Sequence, residues 1–214
     1  MNTIFILIFQ LVVLIFSVMI HEVSHGYVAD YLGDPTARLA GRLNLNPLNH
    51  LDVFGSIILP LTFYVISGGT FVFGWAKPVP YNPYNLRDPK KGGALIAAAG
   101  PSSNFILALV FGLAMRGIIF FNISAAASLV ALFSVIVYIN ILLGIFNLVP
   151  IAPLDGSKVL YAFLPDNQSG REFMMFMERY GFILVLVFIF FGFQLIIPII
   201  NFIYFIFTGV PAGF

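Results

Sequence analysis

Apolar positions dominate the chain in four long blocks, at about 3–28, 93–120, 127–149 and 180–207. Each meets the roughly 20 residues that a helix needs to cross the hydrocarbon of a bilayer. A fifth apolar block, 53–67, is shorter and carries Gly55 and Pro60. It leads into TFYVISGGTFVFGW, two β-prone runs about Gly68-Gly69, which predicts a hairpin. Polar, Pro- and Asn-rich connections at 30–52, 76–92 and 151–179 separate the blocks. The pattern predicts an all-α polytopic membrane protein with about four full transmembrane helices. One re-entrant segment over 53–72 and a short membrane-embedded β-hairpin or sheet complete the expected fold. A single domain is expected over 1–214, with its core in 3–160 and a C-terminal helical region in 161–214.

Composition agrees with the pattern. The chain is 60% hydrophobic and 9% charged, with mean hydropathy +1.02, against about 25% charged residues in a soluble domain. A net charge of +1 leaves no basic face for nucleic acid. The absence of cysteine excludes disulfides, thiolate metal sites and cysteine nucleophiles. The first block lacks the basic start and the A-x-A pattern of a cleaved signal peptide, so it reads as a retained helix. The 25 phenylalanines read as lipid-facing bulk.

Charge also orients the chain. If 53–72 is re-entrant, Arg38, Arg42, Lys77, Arg87, Lys90, Lys91, Lys158, Arg171 and Arg179 share one side, with only Arg116 toward the other. If that segment crosses, the same ten divide seven against three. Lys/Arg excess marks the cytoplasmic side, which favours the re-entrant arrangement with the N-terminus outside.

Polar groups inside these blocks need a reason, because an ionisable residue at a helix centre costs roughly 2.5–3.5 kcal/mol on insertion scales. The first block ends in HEVSH, residues 21–25. Side chains four apart lie on one helix face, so His21 and His25 can bind one Zn2+, with Glu22 beside them as general base. About 18 residues precede His21, roughly 27 Å of helix, which sets the site near the cytosolic rim of the hydrocarbon layer. A catalytic zinc needs a third protein ligand. Asp155 in NLVPIAPLDG (147–156) is the candidate, because the re-entrant topology brings it out on the same side as the histidines. Read alone, that stretch is an ordinary helix exit with an Asp-Gly turn. AAAGPSSNF (97–105) opens the second full span with small residues suited to close helix packing. Asn104 there, and Asn140 and Asn147 in the next span, are candidate donors to an oxyanion or structural hydrogen-bonding groups.

Taken together, HEVSH, GPSSN (100–104) and NLVPIAPLDG resemble the three ordered motifs of the site-2 protease family of intramembrane metalloproteases. GRLNLNPLNHLDVFGSIILP and FGWAKPVPYNPYNLRDPKKGGALIAAAGPSSN are similar to its short prokaryotic branch, which lacks PDZ and CBS domains. The resemblance covers most of residues 15–160. It implies His21, His25 and Asp155 as ligands of one zinc ion, Glu22 as the catalytic glutamate, and Asn104 and Asn147 as residues assisting catalysis. It also implies a multi-pass protein of a prokaryotic cell membrane, with the site near the cytoplasmic side. The implied substrate is a transmembrane protein, which another protease can have cut first, hydrolysed in or near its membrane segment. Nucleic acid is not an expected partner.

Other residues carry lesser expectations. His50 reads as a structural or interfacial residue, with a fourth ligand or proton shuttle as the alternative. Asp52 reads as the cap of a helix from Val53, and Trp75, Tyr81 and Tyr84 as interfacial anchors. TARLAGRLNL (36–45) and TFVFGWAKPV (70–79) read either as connecting loop or as strand edges to which unwound substrate adds. The competing readings of the whole chain are a catalytically inactive scaffold of the same fold and a small transporter. No paired repeat of the kind common in transporters appears.

Overall fold

The computed structural model describes residues 3–66, 74 and 77–213. Its helices are α1 (Thr3–Tyr31), α2 (Thr36–Leu39), α3 (Leu59–Ile66), α4 (Pro89–Phe120), α5 (Ala127–Asn147), α6 (Asp155–Phe163), α7 (Gln168–Val187) and α8 (Phe193–Thr208). Four helical stretches are long and apolar enough to cross a membrane: Ile4–Tyr31, Pro89–Phe120, Ser124–Asn147 and Gln168–Thr208. They answer the four apolar blocks of the sequence. Large apolar side chains such as Ile4, Phe5, Leu7, Phe190 and Leu195 are exposed around them. In water such a surface would drive association; against lipid tails it is the expected face.

Local signals set the ends of these helices. α1 runs past residue 28 and stops where Gly33 takes a left-handed φ of +104°. There Gly33 N–H donates to Asp30 O and Asp34 N–H to Ala29 O, which satisfies carbonyls of the last turn. α4 begins four residues ahead of the apolar block it belongs to. The Asp88 carboxylate accepts from the N–H groups of Lys90 and Lys91, and Pro89 occupies the first turn, where its missing N–H costs nothing. The fourth apolar block continues a longer helical rod. Asn167 caps α7 by accepting from Gly170 N–H, and a π-helical turn at Phe188–Gly192 joins α7 to α8. Together they make 41 residues, about 60 Å of helix at 1.5 Å per residue.

α4 is the centre of the bundle and packs against α1, α5, α6 and α8. Its contact with α5 and α8 is an apolar core of Ala108, Val137, Ile141, Ile145, Ile196, Ile200 and Tyr204. Small residues let the backbones approach: a Cβ at Gly112 would lie 2.9 Å from Phe207 Cβ. A second cluster, Ala29, Leu86 and Ile96, joins the end of α1 to the start of α4.

The region between α1 and α4 departs from expectation. Among the described residues there is no strand. The first arm of the expected hairpin falls in α3, Leu59–Ile66, where the Thr62 hydroxyl donates to Ile58 O one turn back and Pro60 lies in the first turn, where a proline is tolerated. Residues 67–73, Trp75 and residue 76 lie outside the described residues, and with them the Gly68-Gly69 turn and most of the second arm. Of the two readings of 36–45, connecting loop or strand edge, the structure shows no strand among these residues. Thr36–Leu39 is helical and Gly41 takes a φ of +64°, so the stretch curls instead of extending. α3 and the π-helical turn before it, Val53–Ile58, are too short to count among the membrane-length helices. Asp52 caps this segment as expected, its Oδ1 accepting from Gly55 N–H at 2.6 Å.

Candidate metal centre

α1 carries Ser17, His21 and His25 at four-residue intervals, a polar stripe on an otherwise apolar helix. The stripe faces Ile96, Gly100 and Asn104 on α4. His25 Nδ1–H donates to the backbone carbonyl of Ile96 at 2.6 Å, and His21 Nδ1 pairs with Asn104 Oδ1 at 2.6 Å. Both Nε2 atoms therefore present lone pairs to the same space. Asp155, the first residue of α6, completes it. Its Oδ2 lies 3.0 Å from His21 Nε2 and 3.2 Å from His25 Nε2.

Three acceptors this close repel unless a cation lies among them. Two imidazole nitrogens and one carboxylate oxygen are a donor set suited to zinc, and ligands about 2.0–2.1 Å from a tetrahedral ion are separated by roughly 3.3 Å. The observed separations fit that set. His21 and Asp155 are buried, so water offers the three groups little screening. Burial alone would raise the Asp155 carboxyl, but its contacts with His21 and His25 outweigh it and hold the group below the usual carboxylate range.

Glu22 lies near the two histidines on the helix, its ligand atom within 4.8 Å of theirs. Its Oε2 accepts from Val79 N–H at 3.0 Å, which ties the helix to the Lys77–Pro80 stretch. That stretch is held again by Lys77 N–H donating to His50 O and by Arg42 donating to Lys77 O. Its two prolines have no N–H, so Val79 is the donor that faces Glu22.

Asn104, read from the sequence as an oxyanion donor or a structural hydrogen-bonding group, joins the site through its hydrogen bonds. Its amide nitrogen is directed away from the centre, to Asn140 Oδ1 at 3.0 Å and Ser17 O at 3.4 Å, and its oxygen faces His21. Asn147 is not among the groups joined to His21 or Asp155; one of its N–H groups donates to Leu143 O. His50 is buried, its Nε2 bonded to Asn44 O at 2.9 Å.

Three features escaped the sequence reading. Gly100 looked like a packing glycine, yet a Cβ there would lie 2.5 Å from Nε2 of both His21 and His25. The first position of GPSSN thus makes room for the imidazoles, and the fifth orients one of them. Gly156 serves contact and not a turn: it is inside α6, and a Cβ would lie 2.2 Å from Leu148 O. Asp34, fully buried, accepts from Thr36 N–H and Oγ–H, Asn82 N–H and Asn85 Nδ2–H. The D-P-T signal of an Asx turn was visible in the sequence, but the partners nearly 50 residues away were not.

The sequence profile of peptidase family M50 matches residues 114–188, a span that holds Asp155 but not HEVSH. A Bacillus subtilis (strain 168) protein named "Putative zinc metalloprotease YwhC" is 39% identical over 183 residues, covering 84% of this chain and 78% of that protein. The chain belongs to peptidase family M50. As an M50 member with membrane-length helices it is an integral membrane zinc metalloprotease. More distant M50 relatives are longer. "Putative zinc metalloprotease Rip2" of Mycolicibacterium smegmatis is 27% identical over 80% of this chain and 62% of its own length. "Zinc metalloprotease MJ0392" of Methanocaldococcus jannaschii is 26% identical over 85% of this chain and 42% of its own. No solved structure matches the chain.

Proposed function

We propose that this M50 protease hydrolyses peptide bonds in or near the transmembrane segments of membrane-protein substrates. In this reading His21, His25 and Asp155 hold one zinc ion and Glu22 is the general base. The observation that carries it is the meeting of His21 Nε2 and His25 Nε2, on a membrane-length helix, with Asp155 Oδ2 at the start of α6. A peptide bond reaching this centre must come through the bundle or its rim, which suits a substrate already in the membrane.

When bound, zinc supplies Lewis acidity toward the scissile carbonyl and makes water a stronger acid. The protein supplies the rest. Glu22 takes the proton of the attacking water on its carboxylate and returns it to the leaving amide nitrogen. Val79 N–H holds Oε2 and so limits the rotation of that carboxylate. Asn147, near the end of α5, is the proposed donor to the carbonyl oxygen, since Asn104 is turned toward His21. Substrate helices hide their carbonyls in i to i−4 bonds and must unwind locally; the Lys77–Pro80 stretch beside Glu22 is where unwound chain would pass.

The site is proposed to face the cytoplasm of a prokaryotic cell, with 53–72 re-entrant. Two observations support this. Asp34 accepts from Asn82 and Asn85, so both flanks of the intervening chain meet at one end of the bundle, and the chain between them makes an even number of crossings. The same end carries nine of the ten Lys and Arg residues under that topology.

The deciding experiment is Glu22→Gln. Glutamine keeps the shape but cannot accept the proton, so the purified variant should retain zinc and lose cleavage of a transmembrane-segment substrate. Cleavage above a few per cent of wild type by a zinc-loaded variant would remove Glu22 from the base role. Wild-type cleavage of soluble peptides alone would remove the membrane substrate.

A further inference from the structure

The two histidines have their metal-facing nitrogens set in different ways. For His25 the matter is local: Ile96 O is a backbone carbonyl, it can only accept, and Nδ1 must carry the proton. For His21 the partner is a side-chain amide, which can turn either face. A reversed Asn104 would offer N–H to Nδ1, moving the proton to Nε2 and blocking the lone pair that faces Asp155.

We propose that Asn140 and Ser17 are positioning residues that prevent this reversal, so that His21 presents a bare Nε2 to the metal. The proposal rests on the zinc reading above. The direction begins at Ile136 O on α5, which accepts from Asn140 Nδ2–H at 2.8 Å; Ser17 Oγ accepts from the same amide nitrogen at 2.9 Å. A backbone carbonyl cannot donate, so the Asn140 nitrogen stays there and Asn140 Oδ1 faces Asn104. That oxygen requires Asn104 Nδ2, at 3.0 Å, and the backbone carbonyl of Ser17 accepts from the same nitrogen. Asn104 Oδ1 is then left for His21 Nδ1–H. Each reversal along this line would set two acceptors against each other. Asn104 and Asn140 are fully buried, with Ser17 and His21 nearly so, and in such surroundings an acceptor pair without a proton is costly. Three helices contribute: α1, α4 and α5. The state of one ligand nitrogen is thus decided about two helical turns deeper in the bundle than the ligand itself.

The test is zinc affinity of the full-length, detergent-solubilised protein by competition with a chelator series, alongside thermal unfolding of each variant. Asn140→Leu removes the amide and should weaken zinc binding by about tenfold to hundredfold, the range seen when outer partners of metal-bound histidines are lost. Asn140→Asp in its protonated form donates O–H to Ile136 O and keeps an oxygen for Asn104 Nδ2–H, so at a pH where it is protonated it should stay close to wild type. Ile141→Ala opens the neighbouring apolar core and should lower thermal stability while leaving affinity unchanged. If Asn140→Leu does not yield folded protein, Asn140→Ala is judged by the same criteria. Wild-type affinity in the Leu or Ala variant would overturn the proposal. So would an equal loss in Ile141→Ala, or a loss in Asn140→Asp at that pH as large as in Asn140→Leu. Failure of the zinc reading itself looks different: wild type would then bind no more zinc than Asp155→Ala, and the positioning role would fall with it.

Discussion

Single atoms decide the chemistry of this protein. Gly100 gives the clearest case, because its absent side chain is what admits two imidazoles beside α4. Gly100→Ala would place a carbon 2.5 Å from both Nε2 atoms, well inside contact, and the backbone of a packed helix cannot yield by that much. We expect zinc affinity to fall by at least about tenfold, the lower end of the range for lost partners of metal-bound histidines, read by metal analysis of the purified variant against a chelator series. Asp34 is a second case. Burial raises its carboxyl, but hydrogen bonds from Thr36, Asn85 and Asn82 outweigh that and hold it below the ordinary carboxyl value. Its stabilising contribution is therefore complete above the ordinary carboxyl value and is lost as pH falls through the lower folded value. Thermal unfolding followed from pH 7 down to pH 3 should show this acid loss in wild type and a flatter profile in Asp34→Asn. That variant should also be roughly 1–3 kcal/mol less stable at neutral pH, since one of its neighbours' donors meets a donor.

Elements determine which end of the bundle those atoms occupy. α1 and α5 run parallel, with α4 antiparallel between them, so HEVSH, the start of α4 and the start of α6 meet at one end. Asp34, just past α1, meets Asn82 and Asn85, just ahead of α4, at that same end. A cysteine at Tyr84, which is 91% exposed, should react with an impermeant thiol reagent only when the cytoplasmic face is opened. One at Asn122, just past α4, should react from outside intact cells. Labelling of position 84 from outside would place the site on the other face and end the cytoplasmic assignment. The native chain has no cysteine to confuse the result.

At the scale of the whole molecule, a zinc ion held as proposed by His21, His25 and Asp155 would help hold the bundle together. α1 and α6 meet through groups that are mutually repulsive acceptors without a cation, so zinc binding and folding are linked. Saturating zinc at about a hundred times its dissociation constant should add about 2.7 kcal/mol over chelated protein, read as a higher unfolding midpoint. Asp155→Ala should reduce that difference sharply. An identical midpoint with and without chelator in wild type would separate the metal from the fold.

The sequence by itself determined the membrane class, the four long apolar blocks and the residues that meet at the centre. Those signals are local or compositional: hydropathy over 20 residues and a four-residue spacing. HEVSH carried its chemistry because helix periodicity puts His21 and His25 on one face wherever the helix goes. What only tertiary structure decided were the pairings across helices. The sequence could nominate Asn104 but not its direction, because an amide is symmetric in shape and its two ends are distinguished only by their partners, Asn140 and His21. It could nominate Gly100 for packing but not name what fills the space. It left 36–45 open between loop and strand edge, and it assigned a strand to the start of the hairpin, where β-prone residues instead lie in helix. Short apolar segments hold little preference of their own, and the chain they pack against settles their form.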